Sequence, residues 1–156
     1  MNRSFSPFFL ILTILFLFLN FQSSSNENLN HALSKGNKII FIRHALAPGT
    51  GDPSGFRIGD CSTQRNLNNI GIKQSKNIGK FFENEKVPID KVLSSQWCRC
   101  KDTAKYAFKN FEEFSALNST FQSSFAKNQP KQLSELKTYV KNWKNNGGNL
   151  VLVTHY

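Results

Sequence analysis

Three short runs dominated by apolar residues, KIIFI at 38–42, KVLSS at 91–95 and LVLV at 150–153, each give way to polar, reactive residues and are separated by stretches long enough for helices. Continuous runs of this length, bounded by Gly or Pro, read as strands covered on both faces; a strand with one wet face would alternate. Between them, 69–85 carries Ile70, Ile72, Ile78, Phe81 and Phe82 at roughly helical spacing, with Pro88 beyond its end. Cys98–Phe108 reads as a second helix. KQLSELKTYVKNWKN, at 131–145, reads as a third, amphipathic on Leu133, Leu136, Val140 and Trp143 and stopped by Gly147 and Gly148. A weak further strand is placed at FSALNS, near Phe114. The order βαβαβαβ predicts an α/β fold, three layers α/β/α around a mainly parallel sheet.

Ligands of such sheets sit beyond the carboxyl ends of the strands. Three of those ends carry chemistry here: Arg43 and His44; Ser94 and Ser95, with Arg99 following; and Thr154 and His155. The stretch 47–60, with Pro48, Gly49, Gly51, Pro53, Gly55 and Gly59, must be a loop, and long loops in compact domains are usually functional. Arginine forks match phosphate oxygens. A neutral imidazole held at one nitrogen presents a lone pair at the other. Two arginines and two histidines on one rim therefore suit phosphoryl transfer through a phosphohistidine. No G-x-S-x-G elbow surrounds Ser94 or Ser95, which read instead as caps of the following helix. His31, remote from any motif, reads as structural.

At 156 residues the chain has room for one domain. Asn2 and Arg3 precede an apolar stretch from Phe8 to Leu19, too short to span a ~30 Å hydrocarbon layer comfortably, and a small, polar stretch from Gln22 to Asn26 follows. Residues 1–25 are therefore expected to be a cleaved signal peptide, 26–37 a polar linker and 38–156 the domain. The expected location is periplasmic or secreted, with anchoring by an uncleaved segment as the alternative. Net charge is +10. This draws anions, but no basic run with interleaved aromatics points to nucleic acid. Cys61, Cys98 and Cys100 make no CxxC, so no metal site is expected from them, and no organic cofactor is implied elsewhere in the sequence. In an oxidising compartment Cys61 is expected to pair with Cys98 or Cys100.

The motifs FIRHA, VLSSQWCRCKDTA and LVLVTHY, in that order, resemble the signatures of the histidine phosphatase superfamily, with its phosphoglycerate-mutase-like fold. Ala45 stands where Gly is usual. The resemblance implies a phosphatase in which His44 is the phosphorylated nucleophile, Arg43 and Arg99 bind the phosphate, and His155 adds a donor. GTGDPSGFRIGDCSTQRNL is similar to the loop of small exported bacterial members, some linked to envelope phosphate groups, and offers Arg57 and Arg65 either to the anion pocket or to solvent. The family often places its general acid beyond the third strand, where this chain has Asn118. Glu112, Glu113, Asp52 and Asp60 are the candidates, and a phosphoanhydride or phosphohistidine substrate needs the acid less. In the family a helix and further strands follow the second histidine, so the expectation is a domain truncated after the fourth core strand, with IIFI on an exposed edge. The expected partner is a phosphorylated small molecule or an envelope phosphate group. A non-catalytic phosphate-binding envelope protein and a membrane-anchored basic surface protein are the rival readings; a mutase would need further substrate contacts.

Overall fold

A computed structural model of the chain describes residues 29–155, so the expected signal segment lies outside the described residues. In chain order the elements are β1 (Ile39–Arg43), α1 (Asn69–Asn84), β2 (Ile89–Ser94), α2 (Cys98–Phe108), β3 (Glu112–Glu113), α3 (Ser123–Ala126), α4 (Gln129–Asn142) and β4 (Asn149–Thr154). The strands form one sheet in the order β1-β4-β2-β3, and every pairing is parallel. This is the predicted α/β architecture.

Alternation along the strands divides the core between two faces. Val92, Val151 and Val153, with Ile40 and Ile42, face one way and pack with Ile78, Phe82, Ala104 and Phe108 of α1 and α2. Leu93, Leu150 and Leu152, with Ile39, face the other way and pack with Leu136 and Tyr139 of α4 and with Trp143. Each strand is thus apolar at successive positions because successive side chains serve different layers. β1 lies at the sheet's edge, where Phe41 is 58% exposed. Among the described residues no helix is long and apolar enough to cross a membrane.

The helices are held close by glycine. Asn68 caps α1, its side chain accepting from the Gly71 amide at 2.8 Å. A Cβ at Gly71 would lie 2.2 Å from the Leu46 carbonyl oxygen, and one at Gly79 2.2 Å from that of Ala107. Only glycine lets α1 approach both the loop after β1 and the backbone of α2.

Four expectations need correction. The third strand is Glu112–Glu113, ahead of FSALNS; Ser115–Leu117 instead forms a 3-10 turn that buries Ala116 and Leu117. Leu133 is 49% exposed, so the half-buried stripe of α4 runs through Leu136 and Tyr139 to Trp143 just beyond its end. Ser94 and Ser95 do not cap α2: the N-cap position is Trp97, whose amide donates to Ser95 Oγ at 3.3 Å. Within the expected linker, residues 29–34 are helical and Leu33 packs against the core.

Cys61 and Cys98 form a disulfide that closes a separation of 37 residues, while Cys100 is buried with a free thiol. The bridge joins the loop after β1 to the first residue of α2. Loop-closure entropy for this separation corresponds to about 3–4 kcal/mol. Cys61→Ser is expected to lower the unfolding free energy by about that amount in urea titrations, with reductant destabilising the native chain similarly and leaving the variant unchanged.

Candidate active site

The parallel pairing of β1 with β4 sets Arg43 opposite Thr154, and the His44 amide extends the ladder by donating to the Thr154 carbonyl at 3.0 Å. The next residue of each strand is a histidine, and the rings of His44 and His155 meet edge to face with centroids 5.3 Å apart. On the other side of β4, the Ser95 amide donates to the Val153 carbonyl at 2.9 Å, so β2 delivers its chain to the same rim and α2 begins there with Arg99 as its second residue. Arg43, His44, Arg99 and His155 thus line one cavity of about 150 Å³, together with Arg65, Asp52, Ser119, Phe121, Gln122 and residues 49–51. A larger groove of about 660 Å³ between α4 and the β2 side of the sheet gathers neither histidine nor arginine.

His44 is buried, and its Nδ1 lies 2.7 Å from its neighbour's carbonyl oxygen, that of Ala45. A carbonyl only accepts, so Nδ1 carries the proton and Nε2 keeps its lone pair. Ala45 is anchored in turn by its amide, which donates to Thr103 Oγ1 on α2 at 2.9 Å. The non-glycine residues with positive φ among those described are Asn37, Lys86 and Lys109. Ala45 therefore has an ordinary backbone and does not need the left-handed conformation that favours glycine. Burial, then the charges of Arg99, Arg65 and Arg43, lower the His44 pKa to about 4 against the opposing pull of the Ala45 carbonyl. His155 is lowered to about 3 by burial and by Arg99 and His44.

Asn118 Oδ1 accepts from the Gln96 amide at 2.8 Å and from Ser95 Oγ at 3.1 Å. Ser95 Oγ, its proton committed, accepts from His155 Nε2 at 3.0 Å, and Cys100 Sγ lies 3.3 Å from the same nitrogen. Asn118 thus occupies the region beyond the third strand as an organiser of this network. Burial pushes the Cys100 thiol up to about 12, so it acts as a packed neighbour of His155 rather than as a thiolate.

Asp52 and Arg99 form an ion pair at 2.8 Å, with side chains 2% and 4% exposed. Asp52 also accepts from the Arg65 amide at 2.9 Å and from Trp97 Nε1 at 2.9 Å. Against its desolvation, these hydrogen bonds and the Arg99 charge hold the carboxyl below its usual range. Asp52 is therefore an acceptor in the ionised form. The other candidate acids lie outside the cavity lining: Glu112 pairs with Lys91, Glu113 with Lys101, and Asp60 with Arg57. Arg57, 68% exposed, is a solvated loop arginine. Arg65 does reach the cavity, but its Nε donates to the Gly51 carbonyl at 2.8 Å and its Nη1 to that of Ala47, so it also laces the loop together. Ser119, Phe121 and Gln122 were not singled out in the sequence, where STFQ has no motif to mark it. Among the described residues no group of His, Cys, Asp and Glu could hold a metal ion.

The family model described as the histidine phosphatase superfamily (branch 1) matches residues 39–149. No curated protein sequence matches the chain. Among solved structures, one from Agrobacterium tumefaciens, assigned as the phosphohistidine phosphatase SixA, is similar at 20% identity and a TM-score of 0.50, covering 75% of this chain and 68% of that one. One from Escherichia coli, assigned as an alpha-ribazole-5'-P phosphatase, is similar at 14% identity and a TM-score of 0.55, covering 77% and 74%. An open reading frame product of Mycobacterium tuberculosis is similar at 17% identity and a TM-score of 0.50, covering 76% and 74%. At these identities the likeness is one of fold.

The lowered histidines predict a pH dependence. Unfolded histidine protonates near pH 6.5, whereas folded His44 and His155 stay neutral down to about 4 and about 3. Between those limits the unfolded chain binds more protons, so stability falls as pH falls. The urea midpoint is expected to drop from pH 6.5 to about 5, above the carboxylate range, and to drop less in His44→Gln. A midpoint independent of pH across that window would contradict the neutral, buried assignment.

Proposed function

The chain belongs to the histidine phosphatase superfamily, branch 1, and on that premise we propose that it hydrolyses a phosphomonoester or related phosphoryl group through a phosphohistidine on His44. The observation that carries this reading is the fixed tautomer of His44, whose Nδ1–H is tied to the Ala45 carbonyl in a cavity that also holds Arg43, Arg65 and Arg99. Nε2 attacks phosphorus, the bond to the leaving group breaks, and the leaving oxygen or nitrogen departs with the electron pair. Phosphorylation makes the imidazole cationic, and the Nδ1–H donor to a carbonyl stabilises that charge. Water then attacks the phosphoryl group, the P–N bond breaks, and inorganic phosphate leaves with His44 neutral again. Arg43 and Arg99 neutralise the equatorial oxygens. A phosphoryl dianion beside His155 favours its protonated form, which supplies a further donor through Nδ1.

A cavity of about 150 Å³ suits a phosphoryl group, with the remainder of the substrate outside it. The substrate class is a phosphorylated small molecule or an envelope phosphate group, and export to the periplasm or beyond is supported by the Cys61–Cys98 disulfide. The ionised state of Asp52 favours a second reading, phosphate binding without turnover, because it leaves the described cavity without a protonated carboxyl.

Mixing the chain with p-nitrophenyl phosphate, quenching in alkali to preserve an acid-labile phosphohistidine, and mapping peptides by mass spectrometry tests this. The expected result is a phosphoryl adduct on the His44 peptide, absent in His44→Ala, with turnover in Arg99→Ala reduced about 10²–10³-fold. An adduct that survives His44→Ala would refute the nucleophile; phosphate binding without any adduct would support the binding module.

A further inference from the structure

We propose that Asp52 is a positioning residue that fixes the Arg99 guanidinium for the incoming phosphoryl group, and is not the general acid. This rests on the reading of the cavity as a phosphate site. Arg99 Nη1 is shared by both carboxylate oxygens of Asp52, at 2.8 Å and 3.1 Å. Its Nε–H, in contrast, is buried and has no partner. A buried donor left without an acceptor is costly unless an acceptor arrives, and Arg99 lines the cavity in which a phosphate oxygen would supply one. Asp52 thus engages one edge of a rigid planar fork and leaves another unsatisfied.

Asp52 is itself over-determined. Trp97 Nε1 and the Arg65 amide donate to its carboxylate, and Gln122 Nε2 donates to its backbone carbonyl at 3.3 Å. Trp97, fully buried, immediately precedes α2, and the disulfide at Cys98 secures the same turn to the loop. The loop after β1 and the start of α2 therefore converge on one carboxylate whose ionised partner is Arg99, while the STFQ segment holds the backbone of the same residue. A carboxylate beside an anion site repels the ligand by charge, so its presence there is explained by the orientation it imposes. A general acid would have to be protonated and unencumbered, and Asp52 is neither.

The test is a double-mutant cycle read by calorimetric binding of inorganic phosphate to the full chain, with circular dichroism to monitor folding. Asp52→Asn removes a negative charge, yet it is expected to weaken phosphate binding about tenfold because Arg99 is no longer held. In an Arg99→Ala background the same substitution is expected to change the affinity less than about twofold. Asp52→Glu keeps the charge but moves it by one methylene, and is expected to weaken binding as well. Tighter binding in Asp52→Asn, additive losses in the double variant, or no binding by the native chain would each overturn the proposal. Turnover separates this from the general-acid role: Asp52→Asn is expected to slow phenyl phosphate and p-nitrophenyl phosphate by the same factor, whereas loss of an acid would spare the better leaving group. If the cycle is non-additive and no phosphohistidine forms, the positioning role stands and the phosphatase reading fails.

Discussion

The parallel register of β1 on β4 is the constraint from which the site follows. Arg43 pairs with Thr154, so the residues that continue the two strands, His44 and His155, emerge side by side at the carboxyl end of the sheet. A slip of one residue would turn every side chain of β1 to the opposite layer. Ile40 and Ile42 pack in the layer of α1 and α2, and Ile39 in the layer of α4, so the hydrophobic pattern that stabilises the sheet also fixes which imidazoles meet. Stability and geometry are here one property of the same five residues.

Around that frame the site is assembled by polar contacts that the strands alone do not provide. The ion pair of Asp52 with Arg99 is almost wholly buried, a situation in which desolvation offsets much of the Coulombic gain. It is sustained by the Trp97 and Arg65 donors to the same carboxylate. The disulfide constrains the loop that carries Asp52 against the helix that carries Arg99. Three guanidiniums outnumber the one Asp52 carboxylate in this small cavity, and burial, with the charge of Arg99, is what keeps both histidines unprotonated.

Much of this is legible in the sequence because the strands that matter carry short apolar runs bounded by Gly or Pro. β1, β2 and β4 were found within two residues of their ends, and α2 at its observed bounds. β3 was misplaced because it consists of two glutamates whose backbones pair with Leu93 and Ser94 while their side chains point to lysines; hydrophobic periodicity has nothing to detect there. FSALNS looked like a strand because Ala116 and Leu117 are buried, but they are buried by a single 3-10 turn. Arg43, His44, Arg99 and His155 were legible as strand-end chemistry, and the structure brings all four to one cavity. Asp52 was legible only as a carboxylate in a loop. Its partner lies 47 residues further along the chain, and no local pattern encodes that closure.

The most direct measurement is a crystal structure of the chain with phosphate or tungstate, read at the atoms that now lack partners. The oxyanion is expected within bonding reach of Arg43 and Arg99, with one oxygen accepting from Arg99 Nε and the central atom facing His44 Nε2, while the Asp52–Arg99 pair stays intact. An anion bound elsewhere on this basic surface, with Arg99 Nε still unpartnered and His44 Nε2 facing no ligand, would contradict it.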